Sequence, residues 1–395
     1  MASDAAAGFV PPPYPHDRLG SLRALADALP GGVVDASVGT PVDPLPDIVR
    51  SALDDAMGSA RGYPPTIGTP AYRGAAADWL ARRFGVTVDS SAVCACVGTK
   101  EFVASLPRWL SLRNPGRDTV LYPAVAYPTY ALGATLAGLR PVPVPVDADW
   151  HLDLDGVDPG DRARALLLWL NDPANPTGAS ATAEALDAAV SWGRRDGVVV
   201  ASDECYAEFT YDEHGQPAKP VTALASGPDG VLAVHSLSKR SNMAGLRAGF
   251  VTGDADLVTY LGEVRKHAGL MVPGPVQAAA AAALGDDAHV DVQRARYAAR
   301  RAVLVDALAR REVRHVGGPS TFYLWLARPE TPDGWALAEW FARRGVLVAP
   351  GDLYGDAGAR EVRLALTLTD EEVARVVERV GLTDGATPGQ SARSN

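Results

Sequence analysis

Lysine and cysteine are both scarce in this chain of 395 residues. Only four of its 37 basic residues are lysines, so arginine supplies most of the positive charge, and each lysine is a candidate for chemistry that needs an amine. The three cysteines, Cys94, Cys96 and Cys205, are too few and too unevenly spaced for a disulfide framework or a zinc site, and we expect them to be reduced. The four lysines are Lys100, Lys219, Lys239 and Lys266.

Membrane-spanning runs and an excess of positive charge are also missing. The most apolar long segment, 268–284, is interrupted by Pro273 and Pro275 and falls short of the ~20 residues that cross a bilayer. The net charge of −10 argues against a nucleic-acid partner. Because residues 1–15 lack the features of a signal peptide, we expect a cytoplasmic protein, with a disordered polar tail at 383–395.

The pattern of apolar runs predicts an α/β fold. Between residues 89 and 252, seven short apolar or β-branched runs recur among helical patterns, and several are apolar on both faces. Such runs are typical of a mainly parallel sheet covered by helices, which binds ligands at the carboxyl ends of its strands. A long helical stretch at 276–311 and shorter strands at 321–327, 346–349 and 361–366 predict a second, smaller α/β lobe.

Segment 231–239, VLAVHSLSK, carries the most specific pattern. If the strand continues to the end of this segment, Ser236 and Ser238 share one face and can hold an anion, while Lys239 projects from the other face. Arg247, eight residues later, adds a guanidinium group suited to a phosphate. A strand end with a surface lysine is the simpler alternative for this segment taken alone.

Further polar residues follow other apolar runs of the predicted sheet. Asp203 ends the run VVVASD, where a buried carboxylate needs a cation or a proton donor and helix capping is the simpler alternative. The turn 171–178, NDPANPTG, would place the Asn175 amide over the strand ends. A helix start at 98–100, GTK, can receive a phosphate on its backbone N–H groups. Tyr127 offers a ring that can stack on a flat heterocycle, or a core aromatic.

These residues together describe one ligand. It is planar and carries a phosphate, a basic ring nitrogen, a phenolic oxygen and an aldehyde, and pyridoxal 5′-phosphate (PLP) has all of these groups. Dinucleotide, P-loop and HExxH motifs are absent from the sequence, so no metal site is expected. The predicted contacts are Ser236, Ser238, Arg247, Gly98, Thr99 and Lys100 for the phosphate, Asp203 for the nitrogen, Asn175 and Tyr206 for the phenolic oxygen, Tyr127 for stacking and Lys239 for the aldehyde.

The order and spacing of NPTG, SDECY, SLSK and LRAGF resemble those of class I aminotransferases, which belong to the fold type I family of PLP-dependent enzymes. The resemblance extends from about residue 15 to about residue 380. It implies a PLP-dependent transferase with a mainly parallel seven-stranded sheet. It also implies a large PLP-binding domain at 43–274 and a small α/β domain formed by 1–42 and 275–382.

The resemblance assigns roles to single residues. It makes Lys239 the Schiff-base lysine and the general acid–base, and Asp203 the partner of the ring nitrogen. Arg363, in VRLAL, matches the arginine that binds the substrate α-carboxylate. Tyr63 matches a tyrosine that reaches the phosphate of the neighbouring subunit, which implies a homodimer with shared active sites. The implied substrate contacts are Gly39, Asn175 and Arg363.

Within the family, segments such as SVGTPVDPLP and VAPGDLYG are similar to the succinyldiaminopimelate aminotransferases of actinobacteria. This similarity implies amino transfer from glutamate to a small keto acid, N-succinyl-2-amino-6-ketopimelate, in lysine biosynthesis. Departures from the pattern at Ala131, Thr321 and Phe322 support a second hypothesis, a PLP enzyme recruited to specialised metabolism for elimination, γ-replacement or carbon–carbon bond formation. A third, a non-catalytic regulatory protein of the same fold, lacks a recognisable DNA-binding segment in this sequence.

Overall fold

A computed structural model describes residues 9–382 of the chain, and the predicted tail at 383–395 lies outside the described residues. Its strands, in chain order, are β1 (Val34–Asp35), β2 (Val93–Cys96), β3 (Thr119–Pro123), β4 (Arg140–Val144), β5 (Ala165–Asn171), β6 (Val199–Asp203), β7 (Val231–Ser236), β8 (Gly249–Gly253), β9 (Arg314–His315), β10 (Tyr323–Ala327), β11 (Val346–Leu347), β12 (Ala349–Pro350) and β13 (Val362–Ala365).

Seven of these strands form one large sheet in the order β2-β8-β7-β6-β5-β3-β4. The strands from β3 to β7 run parallel, whereas β8 is antiparallel to both of its neighbours. Each of the seven apolar runs in the sequence contributes one strand, so the predicted sheet is confirmed. Pro141 and Pro143 are tolerated in β4 because that strand lies at the sheet edge, where a missing N–H group breaks no second ladder.

Helices cover both faces of this sheet and surround the smaller strands. They are α1 (Gly20–Asp27), α2 (Asp47–Asp55), α3 (Pro70–Phe84), α4 (Thr99–Arg113), α5 (Thr129–Leu136), α6 (Pro159–Arg164), α7 (Ala183–Asp196), α8 (Leu237–Arg240), α9 (Ala255–His267), α10 (Gly274–Gly285), α11 (Ala288–Ala309), α12 (Gly334–Ala342) and α13 (Asp370–Gly381). Among the described residues, no helix is both long enough and apolar enough to cross a membrane.

The central strand β5 shows why its sequence is apolar on both faces. Leu167 and Trp169 pack in one core cluster with side chains of α4, whereas Leu168 and Leu170 pack in another with side chains of α7. Alternate side chains therefore meet a helix on either side of the sheet. The polar residue that ends this strand, Asn171, emerges at its carboxyl end.

The smaller lobe contains an antiparallel sheet in the order β12-β13-β10-β9, beside a parallel pair of β1 and β11. The strands predicted at 321–327 and 361–366 correspond to β10 and β13, and the one predicted at 346–349 is divided between β11 and β12. The domain boundaries at residues 43 and 274 stay a prediction.

Two predicted elements were wrong in detail. The strand does not continue to Lys239: β7 ends at Ser236, whose hydroxyl accepts the N–H of Ser238 at 3.1 Å and caps the short helix α8. The helical stretch at 276–311 is divided between α10 and α11. Asp286 causes the break, because its carboxylate accepts the first backbone N–H groups of α11.

A buried ionic cluster fixes α8, the helix that carries Lys239. The Glu208 carboxylate accepts hydrogen bonds from the Trp79 indole at 2.8 Å, from Arg83 at 2.7 Å and from Arg240 at 3.3 Å. The Arg240 side chain is only 3% exposed, so its charge depends on this partner and on Asp287 at 3.3 Å. Because Arg240 directly follows Lys239, the cluster anchors the end of α8 in the core.

We expect Glu208→Ala to lower the free energy of unfolding by about 3 kcal/mol or more, because it leaves a buried guanidinium without its main partner. The control is Glu339→Ala, which removes a solvent-exposed i,i+4 pair with Arg343 and should cost no more than about 0.5 kcal/mol. Urea unfolding of both variants measures the difference. Equal costs in the two variants would contradict the role given to Glu208.

Candidate active site

A cavity of about 640 Å³ lies at the carboxyl ends of β5, β6 and β7, and the strands β10 and β13 of the smaller sheet also contribute residues to its lining. Side chains from separate parts of the chain converge on it. Twelve of the fourteen sequence-predicted site residues line this cavity: Gly39, Thr99, Lys100, Tyr127, Asn175, Asp203, Tyr206, Ser236, Ser238, Lys239, Arg247 and Arg363.

Two predicted residues do not line the cavity. Gly98 directly precedes α4, whose first two residues, Thr99 and Lys100, do line the cavity. Tyr63 is 95% exposed and reaches no part of this chain's own cavity. That position is compatible with the prediction that Tyr63 serves a neighbouring subunit, which stays a prediction.

The Lys239 amine points from α8 into the cavity. Its Nζ donates a hydrogen bond to the backbone carbonyl of Gly39 at 2.7 Å, and it lies 6.0 Å from the centre of the Phe322 ring. The capping turn at Ser236 brings this amine and the two serines to the same cavity, rather than to opposite faces of a strand.

Asp203 places a carboxylate at the end of β6, deep in the cavity. It accepts hydrogen bonds from the Tyr130 hydroxyl at 2.9 Å and from the Cys205 backbone at 3.3 Å. Burial raises the pKa of Asp203 above its ordinary value, and the hydrogen bonds from Cys205 and Tyr130 and the more distant Lys239 charge offset this only in part. A protonated ring nitrogen is the kind of partner that such a carboxylate needs.

The start of α4 and the Arg247 guanidinium form a site suited to a phosphate. Gly98 has a φ of 73°, in the left-handed region, and a Cβ atom at this position would overlap the Arg247 guanidinium. No described side chain caps the first turn of α4. The N-terminus of α4 and the Arg247 guanidinium therefore lie side by side, and a bound anion would offset their combined positive charge. Ser236 and Ser238 add two hydroxyls at the same cavity.

Arg363 on β13 forms the other cationic point of the cavity. It is only 4% exposed, and it donates to the Asn175 side-chain oxygen at 2.8 Å and to the Ser37 carbonyl at 2.7 Å. The rings of Tyr323 and Tyr354 lie 4.1 and 4.8 Å from its guanidinium carbon. Within residues 9–382 it forms no ion pair with a carboxylate, so a bound anion would complete its charge balance.

Gly39 and Tyr323 are matched in shape. A Cβ atom at position 39 would overlap the Tyr323 hydroxyl, so only glycine leaves room for this ring. The Tyr323 hydroxyl also lies 3.1 Å from the Tyr206 hydroxyl. Tyr206 therefore reaches the cavity as predicted, and its hydroxyl shares a hydrogen bond with a second phenol.

Sequence reasoning missed several aromatic residues of this site. Tyr130 is buried, stacks on Trp169 with ring centres 5.1 Å apart and bonds to Asp203. It lies three residues after Tyr127, the spacing of one helical turn, which was the available signal. Tyr323 and Tyr354 come from the smaller lobe, and no local pattern in the sequence connects them with Arg363.

Known proteins match this chain over most of its length, and they point to one family. The family model described as aminotransferase class I and II matches residues 32–380. The 4-dedimethylamino-4-oxo-anhydrotetracycline transaminase OxyQ of Streptomyces rimosus is 47% identical over 369 residues, which cover 93% of this chain and 99% of that protein. The probable aminotransferase Rv1178 of Mycobacterium tuberculosis is 48% identical over 375 residues, which cover 93% of this chain and 85% of that protein.

Solved structures show the same architecture. A probable N-succinyldiaminopimelate aminotransferase from Thermus thermophilus superposes with a TM-score of 0.83 at 29% identity, covering 92% of this chain and 98% of that one. This likeness, together with the observed seven-stranded sheet, establishes the fold type I architecture that the sequence predicted.

We expect Gly98→Ala to weaken PLP binding at least tenfold. The new methyl group displaces the Arg247 guanidinium, and the loss of one charged hydrogen bond costs about 1.5–3 kcal/mol. Gly245→Ala is the matched control: it lines the same cavity, but a Cβ atom there meets nothing within 4 Å. Titration of the apoprotein with PLP measures both affinities. A Gly98→Ala affinity equal to that of Gly245→Ala would exclude the proposed phosphate site.

Proposed function

Because this chain belongs to the class I and II aminotransferases and is therefore a PLP-dependent transferase, we propose that it moves an amino group from glutamate to a keto acid that carries a second, distal carboxylate. The specific acceptor that we propose is N-succinyl-2-amino-6-ketopimelate, in lysine and diaminopimelate biosynthesis. The observation that carries the proposal is one cavity that combines the Lys239 amine, the buried Asp203 carboxylate and the buried Arg363 guanidinium.

The charges and shape of the cavity fit PLP. We assign the phosphate to Arg247, Ser236, Ser238 and the start of α4, and the ring nitrogen to Asp203. Tyr127 is the stacking ring. When bound, PLP draws electrons from the bonds at the substrate Cα and makes the proton there acidic. The assignment is supported by the buried Asp203 carboxylate and by the Arg247 guanidinium, which lies beside the uncapped N-terminus of α4.

We assign two tasks to the residues that meet the substrate. Arg363 binds the α-carboxylate through its planar fork and, with Asn175 fixed beside it, orients the Cα–H bond. Lys239 is the general acid–base: it removes the proton from Cα of the amino donor and, in the return half-reaction, supplies a proton to Cα of the acceptor. Its hydrogen bond to the Gly39 carbonyl holds the amine close to the carboxylate site, because the Ser37 carbonyl two residues earlier contacts Arg363.

Lys100 is the residue that we assign to the distal carboxylate. Arg265, Lys266 and Lys100 were the sequence candidates for this role. Arg265 is fully buried against Glu101 at 2.9 Å, and Lys266 lies on the surface beside Glu263; neither lines the cavity. Lys100 does line it, and its amine lies beside hydroxyl groups rather than a carboxylate: it donates to the Tyr14 hydroxyl at 3.3 Å and also interacts with the Tyr127 hydroxyl.

The similarity to OxyQ supports a second candidate, amino transfer to a ketone of a polycyclic natural product. Both of the curated relatives reported above are named as aminotransferases or transaminases, which favours amino transfer over elimination, γ-replacement or carbon–carbon bond formation. A polycyclic ketone has no need of a distal cation, so the side chain of Lys100 distinguishes the two acceptors.

We also propose that the enzyme is a homodimer in which Tyr63 contacts the phosphate in the partner's cavity. Tyr63 is the most exposed of the large hydrophobic side chains in the described part of the chain, and Met57 and Ile48, from the same stretch of sequence, are also exposed. Exposed apolar side chains of this kind are typical of a surface that is covered in the assembled protein.

A half-reaction tests the proposed function. Holoenzyme mixed with L-glutamate alone should release one equivalent of 2-oxoglutarate per site as the PLP absorbance band is lost, and N-succinyl-2-amino-6-ketopimelate should restore the band. Lys239→Ala, which lacks the amine, is the control and should release none. If wild-type enzyme releases no 2-oxoglutarate, glutamate is not the donor. If 2-oxoglutarate forms but only a polycyclic ketone restores the band, the second candidate is correct.

We expect Lys100→Met to raise the KM for N-succinyl-2-amino-6-ketopimelate at least tenfold with a smaller effect on kcat, because a charged hydrogen bond to a carboxylate contributes about 1.5–3 kcal/mol. Lys266→Met is the control, since it removes the same charge outside the cavity. Steady-state kinetics with both variants makes the comparison. An unchanged KM in Lys100→Met, or an equal rise in Lys266→Met, contradicts the assignment.

A further inference from the structure

We propose that a second cavity, separate from the site described above, binds a small organic cation with an apolar body, of the quaternary ammonium class. The cavity has a volume of about 450 Å³ and lies between the carboxyl end of β5, helix α7 and the segment 150–155. This proposal is independent of the proposed function, because the two cavities have only one lining residue, Asn171, in common.

The walls of this second cavity are mostly apolar. A volume of about 450 Å³ is within the range of small-molecule sites. Aliphatic side chains and two tryptophans form most of the lining. The large apolar residues that line it are Val125, Trp150, Leu152, Leu154, Leu170, Leu186 and Trp192.

Trp150 is held firmly in place at the wall. Its indole N–H donates to the Val316 carbonyl at 2.9 Å, and its ring meets Trp325 edge-on with centres 5.9 Å apart. Its backbone has a φ of 68°, in the left-handed region that large residues rarely adopt. The Trp192 ring, which also lines the cavity, has the Arg162 guanidinium 5.3 Å from its centre. Tryptophan faces are the preferred aromatic partners of cations.

The polar part of the wall favours a cation over an anion. Asp172 is only 5% exposed, and one of its oxygens accepts the Ala181 backbone N–H at 2.6 Å. In the described part of the chain it forms no ion pair, so a buried carboxylate lacks a counter-charge. The other titratable groups around it are Asp153, Asp155, His151 and Arg195 on the cavity wall and Glu204, which directly follows β6.

The charge state of Asp172 gives the binding a pH dependence. Burial raises the pKa of Asp172 to about 7, so the carboxyl group is largely neutral at pH 6 and largely ionised at pH 7.5. A cation binds the ionised form, and its affinity should therefore rise severalfold across this interval. Glu204 has its pKa raised to about 8 by burial, and it remains mostly protonated over the same range.

The two cavities share a wall at Asn171. Its side-chain amide donates to the Asp203 backbone carbonyl at 2.9 Å, its oxygen accepts the Asn175 N–H at 2.8 Å, and the residue lines both cavities. A binding experiment must therefore separate a ligand in the second cavity from one in the first. A quaternary ammonium probe does so chemically, because it has no primary amine to react with the PLP aldehyde.

The probe is benzyltrimethylammonium, titrated into the holoenzyme by isothermal calorimetry at pH 7.5 and at pH 6. We expect one site per chain and an affinity severalfold higher at pH 7.5. Benzenesulfonate, of similar size and opposite charge, should bind at least tenfold more weakly. Absence of binding at millimolar probe, equal affinity for the two probes, or an affinity that does not change with pH each overturns the proposal.

Two variants locate the site. Asp172→Asn keeps the acceptor for Ala181 but removes the charge, and Ala185→Trp fills the cavity from α7; each should weaken binding at least tenfold. Asp187→Asn makes the same charge change on an exposed position of α7 outside the cavity and should leave the affinity within twofold. If Asp172→Asn does not fold, Ala185→Trp alone decides. Binding that survives Ala185→Trp places the probe elsewhere and refutes the site.

Discussion

The architecture of the main cavity depends on buried charged groups that form no ion pair within residues 9–382. Asp203 and Arg363 are both removed from water, and neither forms an ion pair there. Such charges are costly unless a partner arrives with a ligand. In the function that we propose, the charged cofactor neutralises Asp203 and the anionic substrate neutralises Arg363. Binding should for the same reason stabilise the folded chain, by the amount that mass action dictates.

The two lobes contribute different parts of this charge pattern. The parallel strands bring Asp203 and Ser236 to one edge of the large sheet, and the following turns add Asn175 and Lys239. The smaller lobe supplies Arg363 from β13, and it bonds directly to Asn175 across the cavity. The substrate carboxylate site that we propose therefore depends on residues of both lobes, and its geometry is sensitive to how they pack.

The sequence predicted the parts of this structure that local patterns determine. Apolar runs located all seven strands of the large sheet, and polar residues at their ends located the cavity. It did not predict the turn of α8, which depends on one hydroxyl of Ser236, nor the contact of Tyr130 with Asp203, which needs two distant segments to be folded together. The sequence does not predict the cavity at Asp172 for the same reason, because the residues that line it come from separate segments.

Among the four lysines of a chain that otherwise uses arginine, we propose Lys239 as the amine that holds PLP. Borohydride reduction of the holoenzyme fixes the cofactor to whichever amine holds it, and peptide mapping by mass spectrometry then identifies that residue. We expect one equivalent of pyridoxyl label per chain, all of it on Lys239. Label on Lys100, Lys219 or Lys266 in its place, or no stoichiometric label at all, would contradict it.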